Sequence, residues 1–228
     1  MNYRKQQNFW DEIFAEIDTY NPHEVEIENN EIGEALSWLA QGAEEVLDFG
    51  FGTGRMVYSC LKRGAERILG IEMSRESVKL GQKTARAGDI EEKTAFFTGG
   101  VEKLEEFENN RFDAVILSNV LDNMLPKDGK KLIQEVHRTT REEGKILVKL
   151  NNYLGEEELA SLEDFSLIEE GVFQDERGVY LWNIGEEEFK ELIKPYFTIS
   201  AAREITIESG DRKTKNRLYL LLNSKSEK

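Results

Sequence analysis

Apolar residues fall in two rhythms along the chain. Five short runs, beginning near Val46, Ile68, Ala95, Ala114 and Ile146, are nearly continuous, as buried strands require. Between them the pattern turns helical. Helices are expected over 55–62, 74–87 and 126–142; Ser74 is placed to cap the second and Gly88 to stop it, and Gly144 ends the third. Strand and helix in alternation make the βαβ rhythm of a parallel sheet. Ahead of it, residues 3–19 set Phe9, Ile13, Phe14 and Ile17 at helical spacing with Trp10 beside them, and Asn21-Pro22 breaks the helix. A second helix over 29–41 carries Ile32, Leu36 and Leu39 on one face. After the fifth run the rhythm stops. Residues 151–184 are polar with scattered aromatics, Phe165, Phe173, Tyr180 and Trp182, and suggest one short strand at 178–182. A helix over 185–194, stopped by Pro195, leads to β-rich stretches at 197–207 and 216–222 around the charged turn 209–213. Residues 223–228 are polar and expected to fray.

The stretch that carries chemistry is 46–54, Val-Leu-Asp-Phe-Gly-Phe-Gly-Thr-Gly, taken together with Glu72. Three glycines at alternate positions make a tight turn between strand and helix, where the backbone needs unusual dihedrals and a ligand comes close. The next strand ends in Glu72. Strand, glycine turn, helix, strand and acid describe a nucleoside-cofactor site, with the acid placed to accept from ribose hydroxyls. The dinucleotide fingerprint spaces its glycines G-x-G-x-x-G and sets a pyrophosphate on the helix N-terminus. Here the third glycine falls one residue early, and Asp48 stands two residues before the first. A carboxylate there suits a cationic ligand better than a diphosphate. S-adenosylmethionine has a ribose, an ammonium and a sulfonium, and no phosphate. Asp48 to Gly54 with Glu72 resembles the first two motifs of class I S-adenosylmethionine-dependent methyltransferases.

That resemblance implies an α/β three-layer sandwich whose mostly parallel sheet is finished by a C-terminal hairpin with an antiparallel last strand. It also implies roles for particular residues. Gly50, Gly52 and Gly54, with Phe51 among them, let the backbone approach the methionine and ribose parts of the cofactor. Asp48 orients the loop and meets the cofactor ammonium, directly or through water. Glu72 takes the ribose hydroxyls, with Met73 beside the adenine, and Gly100, Val101 and Glu102 flank the adenine's other edge. The family's usual acid aligns with Gly100, so adenine recognition passes to the Val101 backbone or to Glu102. Asn119 and Val120 line the methyl-transfer side. In this family N-terminal helices often close over the cofactor; packing on the sheet without touching a ligand is the plainer reading.

Two further residues follow from position alone. Ligands in open α/β sheets bind beyond the carboxyl ends of the strands. Asp122 and Tyr153 lie just past the fourth and fifth strands and are candidate acceptor-side bases. A base is needed only for a protonated acceptor, and alignment of donor and acceptor does most of the work. His23 and His137 read as a solvated loop residue and a surface residue.

Composition narrows the partners. The 228 residues carry a net charge of −15, which argues against nucleic acid and against an anionic membrane surface. One cysteine, Cys60, excludes an intrachain disulfide framework, and no Cys/His cluster has zinc spacing. No apolar run approaches a membrane span, and residues 1–9 hold no signal-peptide core, so a cytoplasmic location is expected. The length suits one domain, with the helices of 1–41 and the insert at 151–184 as candidate lid or acceptor region. The function expected is methyl transfer from S-adenosylmethionine, with S-adenosylhomocysteine as product, to a small molecule first and a protein side chain second. Two other classes stay open: a sensor or scaffold that binds the cofactor without turnover, and an NAD(P)-dependent oxidoreductase. Oligomeric state is left open.

Overall fold

The computed structural model describes residues 3–209 and 212–224. Gly210 and Asp211 of the expected turn, and 225–228 of the expected frayed end, lie outside the described residues. Helices α1 (Arg4–Ala15) and α2 (Asn30–Ala40) precede strand β1 (Glu45–Phe49). Then α3 (Arg55–Lys62), β2 (Arg67–Glu72), α4 (Arg75–Ala87), β3 (Thr94–Thr98), β4 (Phe112–Ser118), α5 (Pro126–Thr139) and β5 (Thr140–Asn151) follow. The insert holds α6 (Glu156–Ala160), β6 (Phe165–Glu169), β7 (Val172–Asp175) and β8 (Tyr180–Trp182). The chain closes with α7 (Glu186–Ile193), β9 (Phe197–Ser209) and β10 (Arg212–Asn223).

The main sheet has the order β3-β2-β1-β4-β5-β10-β9. Strands β1 to β5 pair in parallel, and β10 runs antiparallel between β5 and β9. The expected sandwich with an antiparallel last strand is what the chain forms. Alternation along β1 feeds both layers. Leu47 and Phe49 join the core against α5 and α7, and Val46 joins the core against α2, α3 and α4. Among the described residues no helix is long and apolar enough to cross a membrane.

Several boundaries differ from the sequence pattern: α1 ends at Ala15 instead of 19, and β10 already starts at Arg212. Helix α5 ends at Thr139, three residues before the expected end, and β5 starts at once. The reason lies at the far end of the chain. The Asn223 amide donates to the carbonyls of His137, Thr140 and Arg141 at 3.2, 2.8 and 2.9 Å and so satisfies groups that more helix would have used. His137 is therefore half-buried, not a surface residue. Its Nδ1 meets Asn223 Oδ1 at 2.7 Å, and its ring lies 5.1 Å from that of Tyr196. His23 is exposed, as expected of a solvated loop residue, with its Nε2 2.8 Å from the Gly88 carbonyl.

The insert is more ordered than one strand. It forms a three-stranded antiparallel sheet, β6-β7-β8. Its inner residues Val172 and Trp182 belong to the main core, and Tyr180 meets Tyr3 edge-on at 5.4 Å.

Candidate functional site

The glycine loop after β1 is held from several sides. Glu72 Oε2 accepts from Gly52 N at 3.1 Å, and Ser77 Oγ donates to the Gly52 carbonyl at 2.5 Å. Tyr20 OH donates to the Thr53 carbonyl at 2.5 Å. Gly50, Gly52 and Gly54 have φ of +76°, +54° and +84°, the region where a side chain is strained. Gly50 is also fixed by space, because a Cβ there would stand 2.3 Å from Val120 Cγ2.

Beside this loop lies a cavity of about 510 Å³, a size that suits a small-molecule ligand. Its floor is Gly50, Gly52 and the end of β2; its sides are the Gly100–Glu102 turn and the Asn119–Val120 turn. Glu72 is 8% exposed. Its Oε1 accepts from Met73 N at 2.7 Å and Ser74 N at 3.3 Å. Burial raises its pKa, and these amide donors oppose the rise.

The turn at 99–102 resolves the departure at Gly100. Glu102 Oε1 accepts from Gly100 N at 2.8 Å, and a Cβ at Gly100 would stand 2.9 Å from Glu102 Oε2. The carboxylate of residue 102 folds back to the place where a side chain from residue 100 would start. An acid is thus present at the cavity wall, supplied from two residues later.

Asn119 is a non-glycine residue at φ +53°. Its amide is clamped: Oδ1 accepts from Lys149 Nζ, while Nδ2 donates to Asn151 Oδ1 at 3.0 Å and to Asp122 Oδ2 at 3.4 Å. Asp122 Oδ2 also accepts from Asn151 N at 2.7 Å.

The structure brings Gly50, Gly52, Glu72, Met73, Gly100, Val101, Glu102, Asn119 and Val120 around one cavity. Five sequence candidates stand elsewhere, and each has a physical reason. Phe51 turns into the core, 4.9 Å from the Phe96 ring, over Gly70, where a Cβ would lie 2.6 Å from it. Asp48 points to the other face of β1; burial and the nearby charge of Glu72 push its pKa up to about 8. No hydrogen bond joins its carboxylate to the loop among the described residues. Asp122 is 1% exposed and faces inward, with Oδ1 unpartnered. Tyr153 is 51% exposed and lines a separate hollow, because the Arg217 guanidinium holds the Asn151 carbonyl at 3.1 Å and the chain turns away towards Asn183. Gly54 lies one turn from the cavity, as the N-cap of α3.

Sequence reasoning offered the N-terminal helices as a candidate lid but named none of the residues that form the roof. Helix α1 crosses the strand ends, and Tyr3, Gln6, Trp10 and Phe14 line the cavity. The helix is tied down from its N-terminus to its middle. Gln7 Nε2 donates to the Met73 carbonyl at 2.8 Å, Ser74 Oγ donates to Asp11 Oδ1 at 2.6 Å, and Tyr3 OH donates to Asp128 Oδ2 at 2.6 Å. Of the two N-terminal helices, α1 closes over the cavity and α2 packs on the sheet. The signal was present: an amphipathic helix with three aromatics within six residues has more apolar surface than one packing face uses.

Residues 46–144 match the family model described as "Methyltransferase domain". A ribosomal protein L11 methyltransferase of Chromobacterium violaceum is 32% identical over 104 residues, which is 44% of this chain and 32% of the relative. The chain thus spans about a third of the length of that curated relative. The N-methyltransferase NodS of Bradyrhizobium japonicum, solved with S-adenosylhomocysteine, superposes with a TM-score of 0.66 at 13% identity, covering 97% of this chain and 100% of that one. A Pyrococcus horikoshii protein superposes with a TM-score of 0.66 at 23% identity, covering 94% and 99%. The glycine loop and Glu72 fall within the segment that matches a methyltransferase domain, and the chain has the Rossmann-like fold of the class I S-adenosylmethionine-dependent methyltransferases.

Proposed function

We propose that this protein is an enzyme that binds S-adenosylmethionine in the cavity beside the glycine loop and transfers its methyl group to a small-molecule acceptor, releasing S-adenosylhomocysteine. The observation that carries the reading is Glu72. Three backbone amides aim its carboxylate at the end of β2, on the cavity floor opposite the Gly100–Glu102 turn. A fixed acceptor pair there matches the two hydroxyls of a ribose. Gly50 and Gly52 support the same reading, since they leave the cavity floor beside Glu72 as bare backbone that a ligand can approach closely.

Bound there, the cofactor supplies an already activated methyl group. The chain's own residues bind and orient. Glu72 holds the ribose, and Met73, Val101 and Glu102 bracket the base. The Asn119–Val120 turn sets the wall on the transfer side. Helix α1 covers the cavity and excludes water. Such alignment is the larger part of catalysis when the leaving group needs no further activation.

The closed roof of α1 favours a small acceptor. A protein side chain is the second reading, favoured by the curated relatives named as ribosomal protein methyltransferases. The cofactor is tested by calorimetric titration with S-adenosylmethionine, S-adenosylhomocysteine, NAD and NADP, repeated on Glu72→Ala. Binding of the two adenosyl ligands alone, weakened in Glu72→Ala, is expected. A hundredfold excess over Kd stabilises the fold by about 2.7 kcal/mol, so a thermal shift reads the same event. Binding of NAD or NADP would replace methyl transfer by hydride transfer. Binding without turnover on any acceptor would give the chain a sensor's role.

A further inference from the structure

A second chamber, of about 760 Å³, lies on the other side of the glycine loop. It shares Gly50, Gly52 and Ser118 with the first cavity, so a ligand lying over the loop borders both. Asp48 and Lys149 form its floor. Its roof is the segment 26–31, which is held to β9 by Asn29 Nδ2 donating to the Thr206 carbonyl at 3.0 Å. Helix α1 is bonded down over the first cavity, which leaves the second chamber as the entrance for another molecule.

Its charges are unequal. Glu26, Glu28 and Glu31 line the roof and have no ion-pair partner among the described residues. Glu208 at the rim is paired with Lys213 at 2.5 Å. The two cations are already turned towards protein acceptors: Arg55 Nη2 donates to the Glu26 carbonyl at 2.7 Å, and Lys149 Nζ to Asn119 and Asn216. The Asp48 carboxylate is 2% exposed, borders the chamber, and has no hydrogen-bond partner among the described residues. A buried carboxylate without a donor is costly, and a ligand with N–H groups and positive charge removes that cost.

We propose that this chamber is the acceptor site and that the acceptor is a small aliphatic amine, held at its nitrogen by Asp48 and along its length by Glu26, Glu28 and Glu31. The proposal rests on the methyl-transfer reading above. The bound ammonium gives one proton to solvent water. The freed nitrogen lone pair forms the bond to the methyl carbon, the carbon–sulfur bond breaks, and its electron pair stays on sulfur. The products are an N-methylammonium ion and S-adenosylhomocysteine.

The test uses the full chain and two separate readouts. Calorimetry with S-adenosylhomocysteine checks the donor site alone. Transfer of labelled methyl is then measured with aliphatic amines from methylamine to spermidine, and with 1,4-butanediol and succinate as neutral and anionic controls. Turnover with amines and none with the controls is expected. Glu26→Gln/Glu28→Gln/Glu31→Gln should raise the amine KM about tenfold, the scale of three weak charge contacts open to solvent, with S-adenosylhomocysteine affinity unchanged. Asp48→Asn should abolish most amine turnover and keep that affinity. Normal donor binding with no amine turned over, or with butanediol or succinate accepted equally, overturns the acceptor class while the donor reading stands. An unchanged amine KM in the triple variant removes the roof. Loss of S-adenosylhomocysteine binding in Asp48→Asn gives that carboxylate to the donor's ammonium and overturns its part here. Absence of donor binding in the wild type refutes the reading on which the proposal rests.

Discussion

Replacing Gly50 by Ala tests the geometry of the loop with one methyl group. The backbone there is left-handed, φ +76°, which costs a non-glycine residue about 1–2 kcal/mol. The added Cβ would stand 2.3 Å from Val120 Cγ2. Val120 is β-branched and has few rotamers to escape into, and it follows Asn119, whose amide is clamped by Lys149, Asn151 and Asp122. Forcing it aside should cost a further ~1–3 kcal/mol, the range for an extra carbon in a packed site. The sum is about 2–5 kcal/mol, read as a lower urea midpoint at constant slope. Val120→Ala removes the clashing carbon and leaves the dihedral strain. In that background Gly50→Ala should cost only about 1–2 kcal/mol, so the pair should couple by ~1–3 kcal/mol in a double-mutant cycle. A penalty below about 0.5 kcal/mol, or the same penalty in both backgrounds, would refute the idea that Val120 makes glycine obligatory at residue 50.

Three further outcomes follow. Asp48 keeps its proton to about pH 8 in the fold but releases it near its ordinary value of 3.8 when unfolded. The unfolded chain therefore binds fewer protons between those values, and stability falls as pH rises through that window. Asp48→Asn should remove this slope and leave the ligand-free protein at least ~1 kcal/mol more stable than wild type at pH 8; parallel stability curves from pH 4.5 to 8 would discard the assignment. Trp10 lines the cavity beside the glycine loop, whereas Trp38 and Trp182 do not, so Trp10→Phe should abolish the fluorescence change on adding S-adenosylhomocysteine and Trp38→Phe should preserve it. Gly129→Ala sets a Cβ 2.7 Å from the Trp182 ring and 3.0 Å from Leu121. It should destabilise by ~1–3 kcal/mol despite alanine's better helix propensity; a stabilised variant would mean that β8 is not docked firmly on α5.

The parallel sheet was legible because each of its strands is buried on both faces and reads as a continuous apolar run. The glycine loop was legible because its backbone demands glycine, and Glu72 because a strand ends on it. The small sheet was not, for the opposite reason. Every residue of β6 from Ser166 to Glu169 is exposed, with Leu167 at 64%, so no alternation marks it. Its signal lay in turn chemistry, at Gly171 and Gly178, whose φ of +71° and +86° close the two hairpins. The early end of α5 was hidden because its cap comes from Asn223, far along the sequence. Asp122 and Tyr153 were placed by a rule about strand ends that fixes the edge of the sheet but not the direction of a side chain. The α1 roof shows the same limit, since a helical stripe reports that one face is covered and not by what.

The polar group beneath Asn119 explains why two distant parts of the chain had to agree. Burial lowers the Lys149 pKa to about 8, and Asp122 opposes that shift; burial raises Asp122, and amide donors with the Lys149 charge oppose it. Neither group is stable there alone, and each meets the other through the amide of Asn119. That arrangement satisfies the amide only while Asn119 keeps its left-handed backbone, and in that conformation Val120 is delivered onto Gly50. An apolar residue at 119 would leave Lys149 and Asp122 to be paired elsewhere, and an uncompensated buried charge is among the costlier defects a fold can carry. The glycine at residue 50, read at first as a concession to a ligand, is thus also the receiving half of a protein contact. The Asn119–Val120 wall of the first cavity is thus set by two buried charges, of which Lys149 also floors the second chamber. Substitutions at Lys149 should therefore alter that wall and the second chamber together.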